Sequence, residues 1–157
     1  MLKLLPLLIF LFNGCSPDIF AKDQDSVLEK FCSRYNGEVK FGFTCPKTKL
    51  PLPLKMCHFT NSQGEKNFFD GCTGPAGGFT ETFYPACIRH DLCYHHEPVT
   101  NGKDQAYCDK LFYDIMVESC KGNAKEQKCL KWAKRLYVVV QSVGKLAFHC
   151  ENTPGSY

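Results

Sequence analysis

The sequence lacks the features that mark non-globular chains. It has no internal repeat, no low-complexity segment and no second long hydrophobic run beyond its N-terminus, and only one of its 157 residues is Trp. With 44% hydrophobic and 22% charged residues, these absences exclude the collagen-like, coiled-coil and low-complexity classes and argue against disorder. A chain of this length is therefore expected to form one globular domain.

The chain also has no large excess of positive or negative charge. The formal net charge is only +3, and the basic residues are scattered along the chain. Their densest group is Lys121, Lys125, Lys128, Lys131, Lys134 and Arg135. Nucleic-acid binding therefore has no support from the sequence. The group predicts a solvated helix face, with weak attraction to anionic lipid as the functional alternative.

Cysteine is abundant instead, and its count of 11 is odd. So many cysteines are typical of secreted proteins stabilised by disulfides, but an odd number cannot all pair within one molecule. The N-terminus accounts for the extra one. Lys3 precedes an apolar run from Leu4 to Phe12, which is the layout of a secretory signal peptide and is too short to span a bilayer.

We therefore predict a signal peptide over residues 1–21, with cleavage after Ala21, and a single secreted domain over residues 22–157. A retained signal anchor is the alternative. Cys15 would leave with the signal peptide, so the mature chain would keep ten of the 11 cysteines. Ten cysteines can form five disulfides in an oxidising compartment.

The segments of the mature chain predict a mainly α, disulfide-rich fold with an irregular N-terminal region. From Lys22 to about Asn67 the sequence indicates loops or short strands, because prolines interrupt it and only Val39–Phe43 alternates weakly. Asp70–Gly78, with four Gly and one Pro, predicts a compact loop. Helical signals follow, and they predict helices from Thr80 or Thr82 to Pro98, from Asp104 to Cys120 and from Gln127 to Leu146.

One group of residues carries the signal for catalysis. His90 and Asp91 lie between Cys87 and Cys93 on the first of these helices, and Asp109 borders an apolar stripe on the next one. A carboxylate there is costly unless something pairs with it. If Cys93 and Cys108 are bonded, the two helices are antiparallel and His90 faces Asp109. The carboxylate would orient the imidazole, whose other nitrogen could then take a proton from water.

The glycine loop predicts a metal site beside this pair. Asp91 points about 100° away from His90 around the helix and can face the loop. A disulfide between Cys72 and Cys87 would hold the loop on the helix, at a gain of roughly 3 kcal/mol. Loop carbonyls together with Asp91 and Asp70 offer the hard oxygen ligands that Ca²⁺ prefers.

The run Phe83–Tyr94, preceded by the glycine loop and followed by Cys108 and Asp109, resembles the secreted calcium-dependent phospholipase A2 superfamily. The motifs cover Asp70–Cys120, about a third of the chain. They look closer to the divergent branch of conodipines and microbial enzymes than to the pancreatic and venom enzymes.

The resemblance implies a fold, an activity and roles for particular residues. It implies a pair of antiparallel helices with a calcium-binding glycine loop, acting at phospholipid aggregates or a membrane surface on the sn-2 ester. His90 would be the catalytic histidine, Asp109 would orient it and Asp91 would bind calcium. The cysteine pairs Cys72–Cys87 and Cys93–Cys108 both match disulfides of the family.

The sequence also departs from the commonest family pattern. Ala86 replaces one of two adjacent cysteines, and the position of its partner is Ile115, so the whole bridge is missing. In the common enzymes three loop carbonyls bind calcium, and these would fall near Gly71, Thr73 and Pro75. In the microbial branch the side chain of Asp70 and the carbonyl of Gly71 would bind it. We favour the second arrangement because Asp70 matches it.

Two other interpretations and three cysteine pairs complete the predictions. A zinc site at Cys87, His90, Cys93 and His95 or His96 would leave Asp109 and the glycine loop unexplained. A non-catalytic binding protein or toxin subunit is the main alternative, although the chain retains His90, Asp91 and Asp109. Cys120 is expected to pair with Cys129, and a guess pairs Cys32 with Cys45 and Cys57 with Cys150.

Overall fold

The computed structural model describes residues 17–44, 49, 51–100, 102–145 and 147–148. In this part of the chain, four helices and a three-stranded antiparallel sheet form a small, mostly helical domain. The elements are α1 (Pro17–Arg34), β1 (Glu38–Thr44), β2 (Pro51–Thr60), β3 (Lys66–Phe69), α2 (Thr80–Thr100), α3 (Gln105–Cys120) and α4 (Glu126–Val143). None of these described helices combines the length and the apolar character that crossing a bilayer would require.

The signal peptide stays a prediction. Residues 1–16, including Cys15, lie outside the described residues. The expected cleavage point after Ala21 falls within α1, which begins at Pro17.

The predicted helices in the second half of the chain are confirmed. Helix α2 begins at Thr80 as expected and continues two residues beyond Pro98. The side chain of Asp104 caps α3 by accepting the N–H of Tyr107 at 2.9 Å, which satisfies a donor that the first turn would leave unpaired. Helix α4 ends at Val143, three residues before the expected end.

The prediction of an irregular N-terminal region is wrong for most of its length, although the weakly alternating residues Val39–Phe43 do lie in a strand, β1. Residues 17–34 form α1, and a sheet with the strand order β1-β2-β3 occupies most of the segment that follows. Helix α1 buries Val27, Leu28, Phe31 and Cys32, whose spacing places them on one helix face. This helix therefore depends on packing against the rest of the domain rather than on strong start and stop signals.

The prolines of β2 do not break the sheet. Pro51 is the first residue of the strand and pairs with Thr44 at the end of β1. Pro53 lies where the register shifts, between the pairs Phe43↔Leu52 and Phe41↔Lys55. A missing N–H is tolerated at the end of a strand and at a bulge. The prolines therefore do not end the strand, as the sequence indicates, but lie at its first residue and at its bulge.

The main core joins α1 to the helix pair. The ring of Phe31 on α1 stacks on that of Tyr84 on α2, with 4.4 Å between ring centroids. Ala86 is fully buried in this core, and Ile115 packs against it. Apolar packing thus occupies the two positions at which the resemblance would place a further disulfide.

Four disulfides are present among the described residues. Three of them confirm the predicted pairs Cys72–Cys87, Cys93–Cys108 and Cys120–Cys129. The fourth joins Cys32 on α1 to Cys57 on β2, so the guessed pairs Cys32–Cys45 and Cys57–Cys150 are wrong. Cys45 and Cys150 lie outside the described residues.

The fourth disulfide fits its surroundings closely. A Cβ atom on Gly37 would lie 2.6 Å from the sulfur of Cys57 and 2.8 Å from that of Cys32. Only glycine leaves room for the bridge, because real Cβ atoms do not approach other heavy atoms so closely.

We expect a disulfide map of the oxidised protein to contain a peptide pair that links Cys32 to Cys57. The measurement is mass spectrometry of a digest made without reduction, with free thiols blocked beforehand. A reduced and alkylated digest is the control and should lack the linked pair. A peptide linking Cys32 to Cys45 would contradict the structure.

Candidate functional site

The disulfide between Cys93 and Cys108 brings the second half of α2 against the first half of α3. Nε2 of His90 lies 2.9 Å from Oδ1 of Asp109. Both side chains are nearly inaccessible, with 8% and 1% of the residue exposed, respectively. The structure therefore places the histidine and the carboxylate face to face, as the sequence analysis expects for antiparallel helices.

Two further side chains hold Asp109. The hydroxyl of Tyr94 donates to Oδ1 at 2.6 Å, and the amide of Gln105 donates to Oδ2 at 3.2 Å. Both oxygens of the buried carboxylate thus have donors, which offsets the cost of removing a charge from water. Gln105 is not among the residues predicted from the sequence, although its position one helical turn before Asp109 is a signal that could have indicated it.

The ring of His90 is fixed by packing as well as by its hydrogen bond. Its centroid lies 4.1 Å from the ring of Tyr94 and 4.8 Å from that of Phe112. Because Nε2 faces Asp109, Nδ1 is the nitrogen left for a second partner. The arrangement can therefore present one ring nitrogen to a proton donor in a constant orientation.

The glycine loop is tied to α2 by Asp91. One of its carboxylate oxygens accepts the backbone N–H of Asp70 at 3.1 Å and that of Gly71 at 2.8 Å. The disulfide between Cys72 and Cys87 closes the same loop onto the helix. Asp91 therefore faces the loop while His90, its neighbour in the sequence, faces α3.

Asp70 and Asp91 form a closely spaced pair of carboxyl groups. Burial raises the pKa of Asp70 to about 6, and hydrogen bonds to the Asp91 side chain and to the backbone partly offset this rise. Burial, together with the negative charges of Asp91 and Asp70, also raises the pKa of Tyr84 above its ordinary value. Tyr84 thus remains a protonated hydroxyl beside two acids in a poorly solvated space.

The residues at this loop fit a calcium ion better than a zinc ion. Cys87 and Cys93 are both disulfide-bonded, so neither can supply the thiolate that the zinc interpretation needs. Within the described ranges, no three side chains of His, Cys, Asp or Glu cluster as a metal site. A cation there would depend on two carboxylates and on backbone carbonyls, the oxygen donors that Ca²⁺ prefers.

The predicted loop ligands are only partly brought together. Asp70, Gly71 and Asp91 are in direct contact through the hydrogen bonds to Asp91. Thr73 lies on the wall of a neighbouring cavity, together with Asp70. The parts that the carbonyls of Gly71 and Thr73 play in metal binding stay predictions.

This cavity has a volume of about 300 Å³ and opens beside the loop. Most of its wall comes from α1 and the β1–β2 hairpin, a region for which the sequence motifs predict no function. Its apolar lining comprises Leu28, Phe41, Pro53, Leu54 and Tyr84. An ion pair between Lys55 and Asp25 also borders it. The cavity thus offers an apolar slot with charged groups at its edge.

Comparison of the chain with protein-family models, with curated proteins and with solved structures finds no match. The interpretation of the site therefore depends on its own geometry and on the motifs along the chain. Three features bear on it: the buried pair His90 and Asp109, the glycine loop held by Asp91, and the apolar cavity beside that loop.

Proposed function

We propose that the protein is a secreted, calcium-dependent phospholipase A2 that hydrolyses the sn-2 ester of glycerophospholipids to a fatty acid and a lysophospholipid. The observation that carries the proposal is that two consecutive residues of one helix, His90 and Asp91, each face a different acidic residue. His90 faces a buried carboxylate at 2.9 Å, and Asp91 faces a glycine loop that holds a second acid. Such a site pairs a general base with a place for a hard cation.

The chain's own residues would divide the proton chemistry among them. Nδ1 of His90 would take a proton from the water that attacks the sn-2 carbonyl carbon, and would later return it to the leaving alcohol oxygen. Asp109 would keep Nε2 protonated and would stabilise the positive charge on the ring after proton transfer. Tyr94 and Gln105 would hold Asp109 in the orientation that this requires.

The calcium ion would be held by the carboxylates of Asp70 and Asp91 and by the carbonyl of Gly71. In the arrangement of the common enzymes, the carbonyl of Thr73 would also bind it. When bound, a divalent cation supplies positive charge to the substrate phosphate and to the oxyanion that develops at the ester. The loop amides donate to one oxygen of Asp91, and the side chain of Asp70 also hydrogen-bonds to Asp91. A cation held between the two carboxyl groups would take the place of that side-chain hydrogen bond.

The cavity beside the loop supports a lipid substrate. An acyl chain is apolar and flexible, and the slot walled by Leu28, Phe41 and Leu54 offers matching surface. Phe41 has 72% of its residue surface exposed, so an acyl chain could cover an aromatic ring that otherwise faces water. In this proposal α1 and the hairpin form part of the substrate pocket.

The test is an assay of fatty-acid release from phosphatidylcholine vesicles with distinguishable sn-1 and sn-2 chains. We expect release of the sn-2 acid at millimolar calcium and none in chelator. The Asp91→Asn variant should lose this activity. The control variant Asp114→Asn should retain it, because Asp114 lies on α3 and pairs with Lys110.

Failure to release fatty acid at any calcium concentration would overturn the proposal, as would equal release in chelator. The first of these results, together with binding of a protein target that is unchanged by Asp91→Asn, would favour a non-catalytic binding protein or toxin subunit. The protein must be oxidised for this test, because the disulfides hold both the loop and the helix pair.

A further inference from the structure

Helix α4 has an outward face that the fold does not use. Residues separated by three or four positions lie on the same side of a helix, and one such stripe runs the length of α4. It consists of Lys128, Lys131, Arg135, Val138, Val139, Ser142 and Val143. All seven side chains are exposed. The opposite side carries the buried Cys129 and Ala133.

The valines of this stripe are unusual for an exposed helix surface. Val138, Val139 and Val143 have 50%, 52% and 59% of their residue surface exposed. Valine lowers helix propensity and gains little when it faces water. Leu136 and Val140, which pack against the main core, already provide the apolar contacts of this half of α4. Folding therefore does not explain the outward valines.

The other half of the stripe is basic. Lys128, Lys131 and Arg135 are its cations, and Glu126 is the only acid in α4. Glu126 lies on the other side of the helix and accepts the N–H of Gly122. Among the described residues, no carboxylate forms an ion pair with these three cations. The stripe thus combines cations with an apolar end, over about 22 Å of helix.

We propose that this stripe of α4 docks on an anionic phospholipid surface, with the three valines in the interfacial region and the three cations at the lipid phosphates. Each cation near such a surface strengthens binding by about 1 kcal/mol, or about fivefold. A second copy of the chain is a poorer partner, because a symmetric contact would place the cations of one copy against the cations or against the valines of the other.

The stripe is directly connected to the candidate site. Trp132 lies between Lys131 and Ala133 on α4 and packs against the glycine loop, where a Cβ atom on Gly77 would lie 2.0 Å from the indole ring. The guanidinium of Arg135 lies over the same ring, 5.0 Å from its centroid. A lipid surface bound to α4 would therefore lie next to the loop that holds Asp70. The inference rests on the proposed function and adds to it the surface that would contact the phospholipid aggregate.

The test measures vesicle binding without hydrolysis, so it does not depend on activity. The whole protein carrying His90→Gln would be incubated in chelator with phosphatidylcholine vesicles, with and without phosphatidylserine, and sedimented. We expect binding that requires phosphatidylserine and weakens with added salt. The double variant Lys131→Glu/Arg135→Glu should lower the partition coefficient at least tenfold. Val139→Ser/Val143→Ser should also lower it, but without changing the salt dependence.

The matched control is Lys40→Glu/Lys66→Glu, which changes the net charge equally at two exposed side chains, one on β1 and one on β3. It should bind within about twofold of the parent. Equal loss in the control pair, equal binding to pure phosphatidylcholine, or a dimer that the α4 variants dissociate would each overturn the proposal. Fatty-acid release is measured separately, so loss of docking and loss of the proposed activity are distinguishable.

Discussion

His90→Gln is expected to lower the rate of fatty-acid release by about 10²- to 10⁴-fold, the range that a positioned general base contributes. Glutamine has a similar size and can still donate an N–H to Asp109, so the buried carboxylate keeps a partner. It cannot accept a proton from water at neutral pH. The measurements are initial rates at saturating calcium, together with the thermal unfolding midpoint and the calcium dissociation constant, both of which should change little.

His58→Gln is the matched control. His58 lies on β2, outside the hydrogen-bond network of Asp109, and its pKa is lowered by burial and by the nearby charge of Lys40. It should release fatty acid at a rate within about twofold of the parent protein. A wild-type rate in His90→Gln would contradict the role of His90 as the base. A loss of rate that follows a loss of calcium binding would instead assign His90 a structural role at the loop.

The site could be predicted from the sequence because its parts are held by short-range features. His90, Asp91 and both nearby cysteines lie on one helix, so the helical period alone orders them around its axis. The partner cysteine of each disulfide is only 15 residues away. Once the second helix is antiparallel, Asp109 has to lie opposite His90.

Helix α1 could not be predicted in the same way because distant residues stabilise it. Phe31 stacks on Tyr84, Cys32 is bonded to Cys57, and Lys30 forms an ion pair with Glu81 at 2.7 Å. Each of these partners is at least 25 residues away. The local signals of the segment are weak, and packing of this kind often overrides them. The apolar cavity was missed for the same reason, since its wall joins α1 to the hairpin.

The position of Gln105 shows a different limit. Its spacing from Asp109 is visible in the sequence, but a glutamine at the start of a helix is usually solvated. Its amide also approaches the carbonyl of Val140 on α4, at 3.4 Å. The contact with Asp109 lies within α3, and the helical period indicates it, whereas the contact with Val140 requires α4 to pack against α3. This second contact cannot be predicted from the period of either helix.

Gly71→Ala is expected to lower the free energy of unfolding by about 2–5 kcal/mol and to weaken calcium binding. Gly71 has a φ of +76°, which costs a residue with a side chain about 1–2 kcal/mol. Its Cβ would also lie 2.3 Å from the hydroxyl oxygen of Tyr84. Because the N–H of Gly71 donates to Asp91, any shift of this backbone moves the candidate metal ligands. The measurements are urea unfolding and calcium titration.

The chain provides a control that separates backbone strain from the clash. Gly42 has a φ of +84°, and a Cβ there would meet no atom within 4 Å, so Gly42→Ala should cost only the strain of about 1–2 kcal/mol. Adding Tyr84→Phe to Gly71→Ala should recover part of the loss, because the hydroxyl is the nearest atom to the new methyl group. Equal destabilisation by Gly71→Ala and Gly42→Ala, with calcium binding unchanged, would contradict the claim that packing of the loop against Tyr84 positions Asp70 and Asp91.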